Sequence, residues 1–329
     1  MLTVKPNYYH NFKCLMGECP SSCCIMWQVV VDDKSLDYYN SLNTPYGEYI
    51  RSKITDIQGE PCFKVENGRC AFLNENNLCN MYMNIGQENG AETCRTFPDF
   101  KFVGQDIQLL GKSASCPFVA RKILEEEPEL HLQGECENPL EKEVLDLWFL
   151  IRNELKAKTE QGSFDILSYV KDYQESICGS FGIEEPFVPL DYKGIEDFLG
   201  TLSSLSVLTE EWAEILDELQ SFQWSVKENM KFSDFVAMEN REKSFDNILL
   251  YFIYRYMMDY ISQGNLVLPV KFALISTRII YSICLVAYCK TGELTLEQQA
   301  RYFYLYSKEV EHNNENLEIF FEDASLGLI

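Results

Sequence analysis

EKEVLDLWFLIRNELKAK, residues 141–158, repeats apolar side chains at intervals of three and four. That spacing places them on one face of an α-helix. The same period recurs in residues 164–177, 195–205 and 210–222. Successive amphipathic helices bury their apolar faces against one another. We therefore predict that the protein is mainly α, with an α-helical domain over residues 134–329 that forms a helical bundle.

Residues 1–133 show a different pattern, in which short apolar runs are separated by turn residues. The run WQVVV at residues 27–31 predicts a strand, and Asp32 after it predicts a helix N-cap. The Asn-Gly pair at residues 67–68 predicts a β-hairpin, and residues 100–110 predict another. We expect these β-hairpins to space the loops of a cysteine-rich region.

Nine of the thirteen cysteines lie in this N-terminal region. A secreted disulfide protein is typically small and has a signal peptide, whereas the N-terminus here has no apolar signal segment. We therefore expect a cytoplasmic protein with reduced thiols, whose clustering predicts a metal site. The candidate metal ligands are Cys14, Cys19, Cys23, Cys24, Cys62, Cys70, Cys79, Cys94 and Cys116.

The spacing of these cysteines bears on the metal that they bind. A zinc knuckle has two cysteines separated by two residues, and no such pair occurs in the sequence. Irregular loops suit an iron–sulfur cluster, which is larger than a single ion. Nine thiols exceed the four ligands of one cubane, so the surplus binds a second cluster or packs in the core. Zinc and unmetallated thiols remain alternatives.

The composition also limits the partners. With 28 basic and 51 acidic residues, the formal charge of −23 repels phosphate backbones, and we expect no nucleic acid partner. An acidic surface favours a lysine-bearing protein, although the same charge also serves solubility alone. Residues 266–289 are the most apolar stretch, but Pro269, Lys271 and Arg278 interrupt it. We predict a buried helix there, without membrane insertion.

Several catalytic signatures are missing from the sequence. It contains no GxGxxG, no GxxxxGK[ST] and no HExxH, which removes support for a Rossmann-type site, a P-loop and a zinc hydrolase. The radical S-adenosylmethionine signature that begins at Cys19 and Cys23 needs a third cysteine at position 26, which is methionine. The chemistry is therefore expected from less regular groups of residues.

Two predicted C-terminal helices carry polar stripes that either line a pocket or form solvated faces. The stripe within residues 244–260 consists of Asn247, Tyr251, Tyr254 and Arg255. The stripe within residues 306–317 consists of Glu309, His312, Asn313 and Asn316.

Five segments together resemble the flagellin lysine-N-methylase family and, more distantly, small proteins with a proposed iron- or zinc-chelating domain. They are FKCLMGECPSSCCIMW (12–27), RCAFLNENNLCNMY (69–82), ETCRTFP (92–98), DNILLYFIYRY (246–256) and EVEHNNENL (309–317). The resemblance covers most of the chain. It implies methyl transfer from S-adenosylmethionine to lysine side chains of flagellin, or of another lysine-bearing protein, by an enzyme that holds one or two [4Fe–4S] clusters.

The resemblance also ranks the candidate residues. The motif matches make Cys19, Cys23, Cys24, Cys70, Cys79 and Cys94 the first ligand candidates, followed by Cys14, Cys62 and Cys116. A lysine methylase must deliver a neutral amine to the sulfonium methyl, so a nearby group must remove a proton. The catalytic candidates are Tyr251, Tyr254 and His312, and the cofactor-binding candidates are Asn247 and Arg255. A metal-binding module without turnover is the alternative function.

Overall fold

A computed structural model describes residues 1–25, 27–160, 194–258 and 267–325. Two compact units are present. The larger unit contains Met1–Asn11, Lys101–Ser115 and Val119–Ile329, and the smaller unit contains Phe12–Phe100 and Cys116–Phe118. The boundary predicted between residues 133 and 134 lies inside the larger unit.

Helices dominate the described residues, which confirms that the protein is mainly α. Several helices begin directly after an N-cap residue of the expected type. Thr209, Ser225 and Thr295 each accept a hydrogen bond from a backbone N–H of the first turn. The helices are α1 (Asp33–Ser41), α2 (Pro45–Ser52), α3 (Asn80–Ile85), α4 (Glu92–Thr96), α5 (Pro117–Glu125), α6 (Pro139–Glu160), α7 (Gly194–Ser204), α8 (Glu210–Ser221), α9 (Val226–Met238), α10 (Glu242–Tyr256), α11 (Val267–Thr291), α12 (Leu296–Tyr306) and α13 (Asn314–Ser325). The predicted helix at residues 164–177 lies outside the described residues.

Helix α11 is the core helix of the larger unit. Its Leu268–Thr291 segment is long and apolar enough to cross a membrane, but 83% of its most apolar window is buried inside the protein. Phe272, Ile279 and Ile280 are fully buried, and α10 packs along the helix. The described part of this segment therefore confirms the predicted buried helix.

A four-stranded sheet completes the larger unit, in the order β6-β7-β1-β8. Val4 of the first strand pairs with Leu109 in parallel and with Leu132 in antiparallel register. Residues 100–110 form the predicted hairpin, closed by a hydrogen bond from Gly104 N to Ile107 O. The strands of the whole protein are β1 (Leu2–Pro6), β2 (Ile54–Ile57), β3 (Glu60–Phe63), β4 (Val65–Glu66), β5 (Arg69–Cys70), β6 (Asp99–Val103), β7 (Ile107–Lys112) and β8 (Leu130–Gln133).

The smaller unit contains two hairpins around an aromatic core. Asn67 and Gly68 join β4 to β5 with φ angles of 51° and 72°, so the predicted Asn-Gly hairpin is confirmed. Phe63 and Phe72 lie in the core with ring centroids 5.0 Å apart. Tyr39 packs on the same core.

The predicted strand at residues 27–31 is wrong. The segment makes an isolated bridge from Val30 to Cys62 rather than a continuous ladder. Val29 and Val31 are buried in the core, which explains the apolar run without a regular strand. The predicted N-cap that follows is confirmed, because the Asp32 carboxylate accepts a hydrogen bond from Ser35 N at 3.0 Å.

Candidate functional site

Helix α10 places the first predicted stripe in the interior of the larger unit. Tyr251 and Tyr254 are 3% and 5% exposed, and Phe252 on the other side of the helix is fully buried. Both sides are covered because α6 and α11 pack against α10. The buried tyrosines are therefore not part of a solvated helix face.

An ion pair lies at the centre of this buried region. Arg255 Nε lies 3.0 Å from Glu311 Oε1, and the Glu311 side chain is completely buried. Tyr251 donates its hydroxyl to both Glu311 oxygens, at 3.2 and 3.3 Å, and accepts from Arg255 Nη1 at 3.1 Å. Tyr256 donates to Glu311 Oε1 at 2.9 Å. We call Tyr251, Arg255, Tyr256 and Glu311 the Glu311 cluster.

Burial and charge act in opposite directions on this cluster. Burial alone lowers the pKa of Arg255, but Tyr251, Tyr256 and Glu311 raise it well above its ordinary value. Burial raises the pKa of both tyrosines, against the effect of Arg255. The guanidinium therefore stays charged and the phenols stay neutral hydrogen-bond donors.

A π-helical turn brings Glu311 into this position. The turn covers Ser307–Glu311 and closes with a hydrogen bond from His312 N to Ser307 O. Its wider turn rotates the following residues away from the α-helical spacing on which the second stripe was predicted. The helical spacing therefore did not select Glu311. The signal that could have identified it is its position directly before the candidate His312 in the sequence.

His312 contacts the loop that follows β7. Its Nε2 shares a hydrogen bond of 2.6 Å with the Ser113 hydroxyl, which also contacts the Ser115 hydroxyl at 2.9 Å. In the same loop, Ala114 N donates to the Tyr251 hydroxyl at 3.0 Å. Burial, then the charges of Arg255 and Lys308, lower the pKa of His312 to about 3. The imidazole is consequently neutral near pH 7.

Two other members of the second stripe, Glu309 and Asn316, hold a connection between helices. Glu309 accepts from Leu208 N at 2.8 Å and from the Thr209 hydroxyl at 2.5 Å, just before α8. Asn316 exchanges hydrogen bonds of 2.8 Å with the backbone of Ser206. These contacts give Glu309 and Asn316 a structural role.

Two predicted site residues bind backbone groups. Asn247 donates its amide hydrogens to Ile123 O and Glu126 O, at 2.8 and 2.9 Å, at the end of α5. The Tyr254 hydroxyl lies 3.1 and 3.0 Å from the carbonyl oxygens of Val4 and Leu110. Both side chains fix α10 to its neighbours.

A small cleft adjoins these residues in the larger unit. Four aromatic rings line it, and the space between them is about the size of a water molecule. The aromatic residues are Tyr8, Trp148, Tyr251 and Tyr254. Tyr8 and Trp148 were not among the predicted site residues, because neither belongs to a recognisable motif.

In the smaller unit, secondary structure brings distant cysteines together. The β4–β5 hairpin places Cys70 N 2.8 Å from Cys24 O, and Cys79 bridges Leu73 immediately before α3. Helix α4 carries Cys94, whose carbonyl accepts the Tyr82 hydroxyl at 2.5 Å. The hairpin and the two short helices thus converge on one group of thiols.

These thiols lie close enough together to change one another's pKa values. Cys23 has its pKa raised by its hydrogen bond with Cys24, by burial and by the charges of Cys24, Cys94 and Cys14. Burial, together with Cys24 and Cys79, raises the pKa of Cys70 to about 11. Burial and neighbouring thiols likewise raise the pKa values of Cys79 and Cys94. We call Cys23, Cys24, Cys70, Cys79 and Cys94 the thiol group.

The other candidate ligands differ in their surroundings. Cys14 is exposed, with its sulfur 3.4 Å from Met16 N. Cys62 is buried, and burial followed by the charges of Glu60 and Asp56 raises its pKa. Cys19 is half-buried and Cys116 is buried.

The thiol group has the chemistry of a site for a thiolate-bound metal. Each thiolate raises the pKa of its neighbours, so the thiols ionise together most readily around a cation. Among the described residues, however, no three metal-binding side chains are positioned to hold an ion. The β-hairpin region around a metal cluster therefore remains a prediction.

Comparison with known proteins identifies one matching family and several relatives of this chain. Residues 136–325, more than half of the chain, match the FliB lysine N-methylase C-terminal domain. Lysine-N-methylases of Salmonella choleraesuis (strain SC-B67) and Salmonella typhimurium (strain LT2) are each 22% identical over 185 residues, covering 51% of this chain and 46% of each relative. The flagellar biosynthetic protein FliU of Salmonella muenchen is 23% identical over 153 residues, covering 44% of this chain and 90% of FliU.

The match spans about half the length of the two curated methylases. No solved structure matches the chain. The family match includes α10, the π-helical turn and therefore every member of the Glu311 cluster. On this evidence the chain belongs to the FliB lysine N-methylase family.

Proposed function

We propose that the protein is an S-adenosylmethionine-dependent lysine N-methylase that acts on flagellin, or on another lysine-bearing protein, in the cytoplasm. The observation that carries the proposal is the FliB methylase match over residues 136–325. The names of the Salmonella relatives support lysine methylation and a flagellar substrate at the level of the family. The net charge of −23 favours a cationic side chain over nucleic acid.

The Glu311 cluster suits the proton transfer that this reaction needs. A lysine ammonium first gives one proton to a base, because only the neutral amine has a lone pair for attack. The amine nitrogen then bonds to the methyl carbon while the carbon–sulfur bond breaks, and its electron pair stays on sulfur. The product is a methylated ammonium and a neutral thioether. We assign Glu311 as the base.

The neighbours of Glu311 prepare it for this role. Arg255 and the two tyrosines hold the carboxylate in one orientation, so little reorganisation is needed when the amine arrives. His312 has a pKa of about 3, which makes it a poor base near pH 7. In this proposal His312 positions the Ser113 loop, whose Ala114 N–H fixes Tyr251.

We further propose that the thiol group, Cys23, Cys24, Cys70, Cys79 and Cys94, provides the ligands of a [4Fe–4S] cluster. When bound, such a cluster supplies either structural cross-linking of the smaller unit or an open iron for a polar ligand group. Cys14 and Cys19 are the further candidates because they precede Cys23 in the same loop. Zinc held by the same thiols is the alternative metal.

Methyl transfer can be tested directly. The protein, purified without oxygen, is incubated with unmodified flagellin and S-adenosylmethionine bearing a deuterated methyl group. Mass spectrometry is expected to find the label on lysine ε-nitrogens, with S-adenosylhomocysteine formed in equal amount. Iron and sulfide without any methyl transfer to flagellin or to other lysine-bearing proteins would instead favour a metal-binding module. Formation of 5′-deoxyadenosine in step with product would replace polar transfer with radical transfer.

A further inference from the structure

Strand β8 forms one edge of the four-stranded sheet in the larger unit. The sheet order β6-β7-β1-β8 places β1 on one side of β8 and no strand of the described residues on the other. Three residues of this strand, His131, Leu132 and Gln133, are exposed. An exposed edge strand presents backbone groups to which another extended chain can add. The outward groups of β8 therefore decide what this edge can bind.

The register identifies the backbone groups that face outward. Asn7 N donates to Glu129 O at 2.9 Å, one pair beyond the end of the ladder between β1 and β8. Bonded and non-bonded pairs alternate along an antiparallel ladder, so the pairs at Leu130 and Leu132 are non-bonded. Pro6, opposite Leu130, has no N–H, which agrees with this assignment. The N–H and C=O groups of Leu130 and Leu132 consequently point away from β1.

The outward groups of these two leucines are available for a further strand. Within the part of the chain that the structure describes, no hydrogen bond reaches the N–H or C=O of Leu130 or Leu132 from outside the ladder. Just before β8 the situation differs, because Arg152 Nε donates to Pro128 O at 2.5 Å. Helix α6, which carries Arg152, thus closes the edge at Pro128 and leaves it open at the two leucines.

Leu132 extends the buried face of the sheet to this edge. It lies opposite Val4 in the register, and directly opposite side chains share a face. Val4 is fully buried, whereas Leu132 is 50% exposed. The side chains on the other face, His131 and Gln133, are polar and exposed. An added strand that alternates apolar and polar residues would therefore bury Leu132 and place its polar residues beside His131 and Gln133.

Acidic side chains flank the edge at both ends. Glu129, before β8, is 64% exposed, and its ion pair with Arg152 has the long distance of 4.0 Å. Glu135 and Glu137, after β8, are exposed. A second copy of the chain added along this edge would bring acidic residues together in either direction, because both ends of the strand are acidic. An extended segment with lysine side chains has the complementary charge.

We propose that the edge of β8 binds an extended, lysine-bearing segment of a partner protein as a fifth strand of the sheet. Backbone hydrogen bonds to Leu130 and Leu132 provide affinity, and an apolar residue beside Leu132 sets the register. The lysines of the segment approach the flanking carboxylates. The inference goes beyond the proposed function, since it concerns binding alone and does not rest on methyl transfer.

The proposal is tested by calorimetric titration of the full chain with an acetylated peptide that alternates valine and lysine. Three further peptides serve as comparison probes. In one, glutamate replaces every lysine. In the other two, backbone nitrogens are methylated either at the valines only or at the lysines only. Successive N–H groups of an extended chain point to opposite edges, so one of these two sets faces β8 and the other faces away.

We expect the peptide of valine and lysine to bind, and the glutamate peptide to bind at least about tenfold more weakly. Methylation of the set that faces β8 should weaken binding about tenfold or more, because it removes the donors that the leucine carbonyls accept. Methylation of the other set should leave binding within about 2-fold. This difference separates strand addition from general attraction of a cationic peptide to an acidic protein.

Two exposed leucines provide a matched pair of protein variants. Leu132 on β8 and Leu150 on α6 are 50% and 51% exposed. Leu132→Lys should weaken binding about tenfold or more, through loss of the apolar contact and repulsion of the peptide lysines. Leu150→Lys adds the same charge elsewhere and should leave binding within about 2-fold. Leu132→Pro removes the outward N–H of the strand and should weaken binding about 3-fold to 10-fold.

Equal binding of the two N-methylated peptides, or equal binding by Leu132→Lys and Leu150→Lys, would overturn the proposal. Thermal unfolding is measured for each variant, and if neither Leu132 variant folds, the N-methylated peptides decide. Sedimentation of the unmodified protein measures its oligomeric state. A dimer that Leu132→Pro dissociates would make a second copy the occupant of the edge, and would overturn the proposed partner.

Discussion

The two units bury their reactive groups in different electrostatic surroundings. In the larger unit, Arg255 and Glu311 neutralise one another, and the hydroxyls of Tyr251 and Tyr256 donate hydrogen bonds to the carboxylate. In the smaller unit, burial and the clustered thiols raise the pKa values of Cys23 and Cys94, which the Arg95 guanidinium opposes only at Cys94. The charge in the first site is balanced within the protein, whereas the thiol group would be stabilised by the metal that we propose for it.

The difference separates two kinds of chemistry. A carboxylate held by fixed donors is already oriented before a substrate arrives. A group of soft thiols gains its stability when a metal binds, so its folding and its metal content are linked. Substitutions in the two units should therefore change different measurements.

The largest expected effect is on metal content. Cys24 lies within electrostatic range of Cys23, Cys70 and Cys94, whereas buried Cys62 has carboxylates as its charged neighbours. We expect Cys24→Ala to lower iron and sulfide per chain at least about tenfold. Cys62→Ala should retain both. Elemental analysis after anaerobic purification makes the comparison, and equal loss in the two variants would show that general instability, not ligation, is responsible.

The next largest effect concerns the ion pair. Arg255→Met leaves the Glu311 carboxylate buried without its cation, which should lower the free energy of unfolding by about 3–5 kcal/mol. The double variant Arg255→Met, Glu311→Leu removes both charges and should recover most of that loss. Urea unfolding measures the two proteins. A double variant as unstable as the single one would show that packing, rather than charge, dominates the site.

A further effect on the free energy of unfolding should appear on acidification, and per pH unit it is smaller than the loss expected for Arg255→Met. Because burial lowers the pKa of His312 to about 3, the unfolded chain binds this proton more readily, and stability is lost as pH falls from about 6.5 towards 3. Through this one group, the free energy of unfolding changes by at most about 1.4 kcal/mol per pH unit. His312→Gln should flatten unfolding curves in this window. A slope in His312→Gln equal to that of the unmodified protein would contradict the assignment of this pH dependence to His312.

The smallest effect is expected at the cap that supports Cys94. Asp32 accepts hydrogen bonds from Ser35 N in α1 and from Glu92 N in α4, and these bonds lower its pKa despite burial. The stability that the Asp32 carboxylate contributes is therefore present above pH 3.8, which is its ordinary pKa. It is lost as the pH falls through the lower pKa of the folded protein. Asp32→Ala should cost about 1 kcal/mol of unfolding free energy. Asp37→Ala, on the exposed side of α1, should change thermal unfolding little.

Local sequence signals predicted the elements that depend on nearby residues. The Asn67-Gly68 hairpin, the Asp32 cap and the helical period of residues 141–158 all formed as expected. The prediction of a strand at residues 27–31 was wrong, because Val29 and Val31 are buried by long-range packing rather than by a strand ladder.

The candidate site was only partly visible in the sequence. Helical spacing grouped Tyr251 with Arg255, but the π-helical turn that places Glu311 beside them has no simple periodic signal. The contact between Ser113 and His312 joins residues 199 positions apart, and pattern analysis of a single chain does not detect such pairs. Cysteine clustering was recognisable because nine of the thirteen cysteines lie in one region of the chain.

The most direct test of the methyl transfer site compares two buried glutamates of one π-helical turn. Glu311 belongs to the proposed catalytic cluster, whereas Glu309 holds the connection before α8. The initial rate of lysine methylation is measured for Glu311→Gln and Glu309→Gln, each corrected for its folded fraction. The account predicts a loss of about 100-fold or more for Glu311→Gln and a rate near that of the unmodified protein for Glu309→Gln. Full activity of folded Glu311→Gln would contradict it.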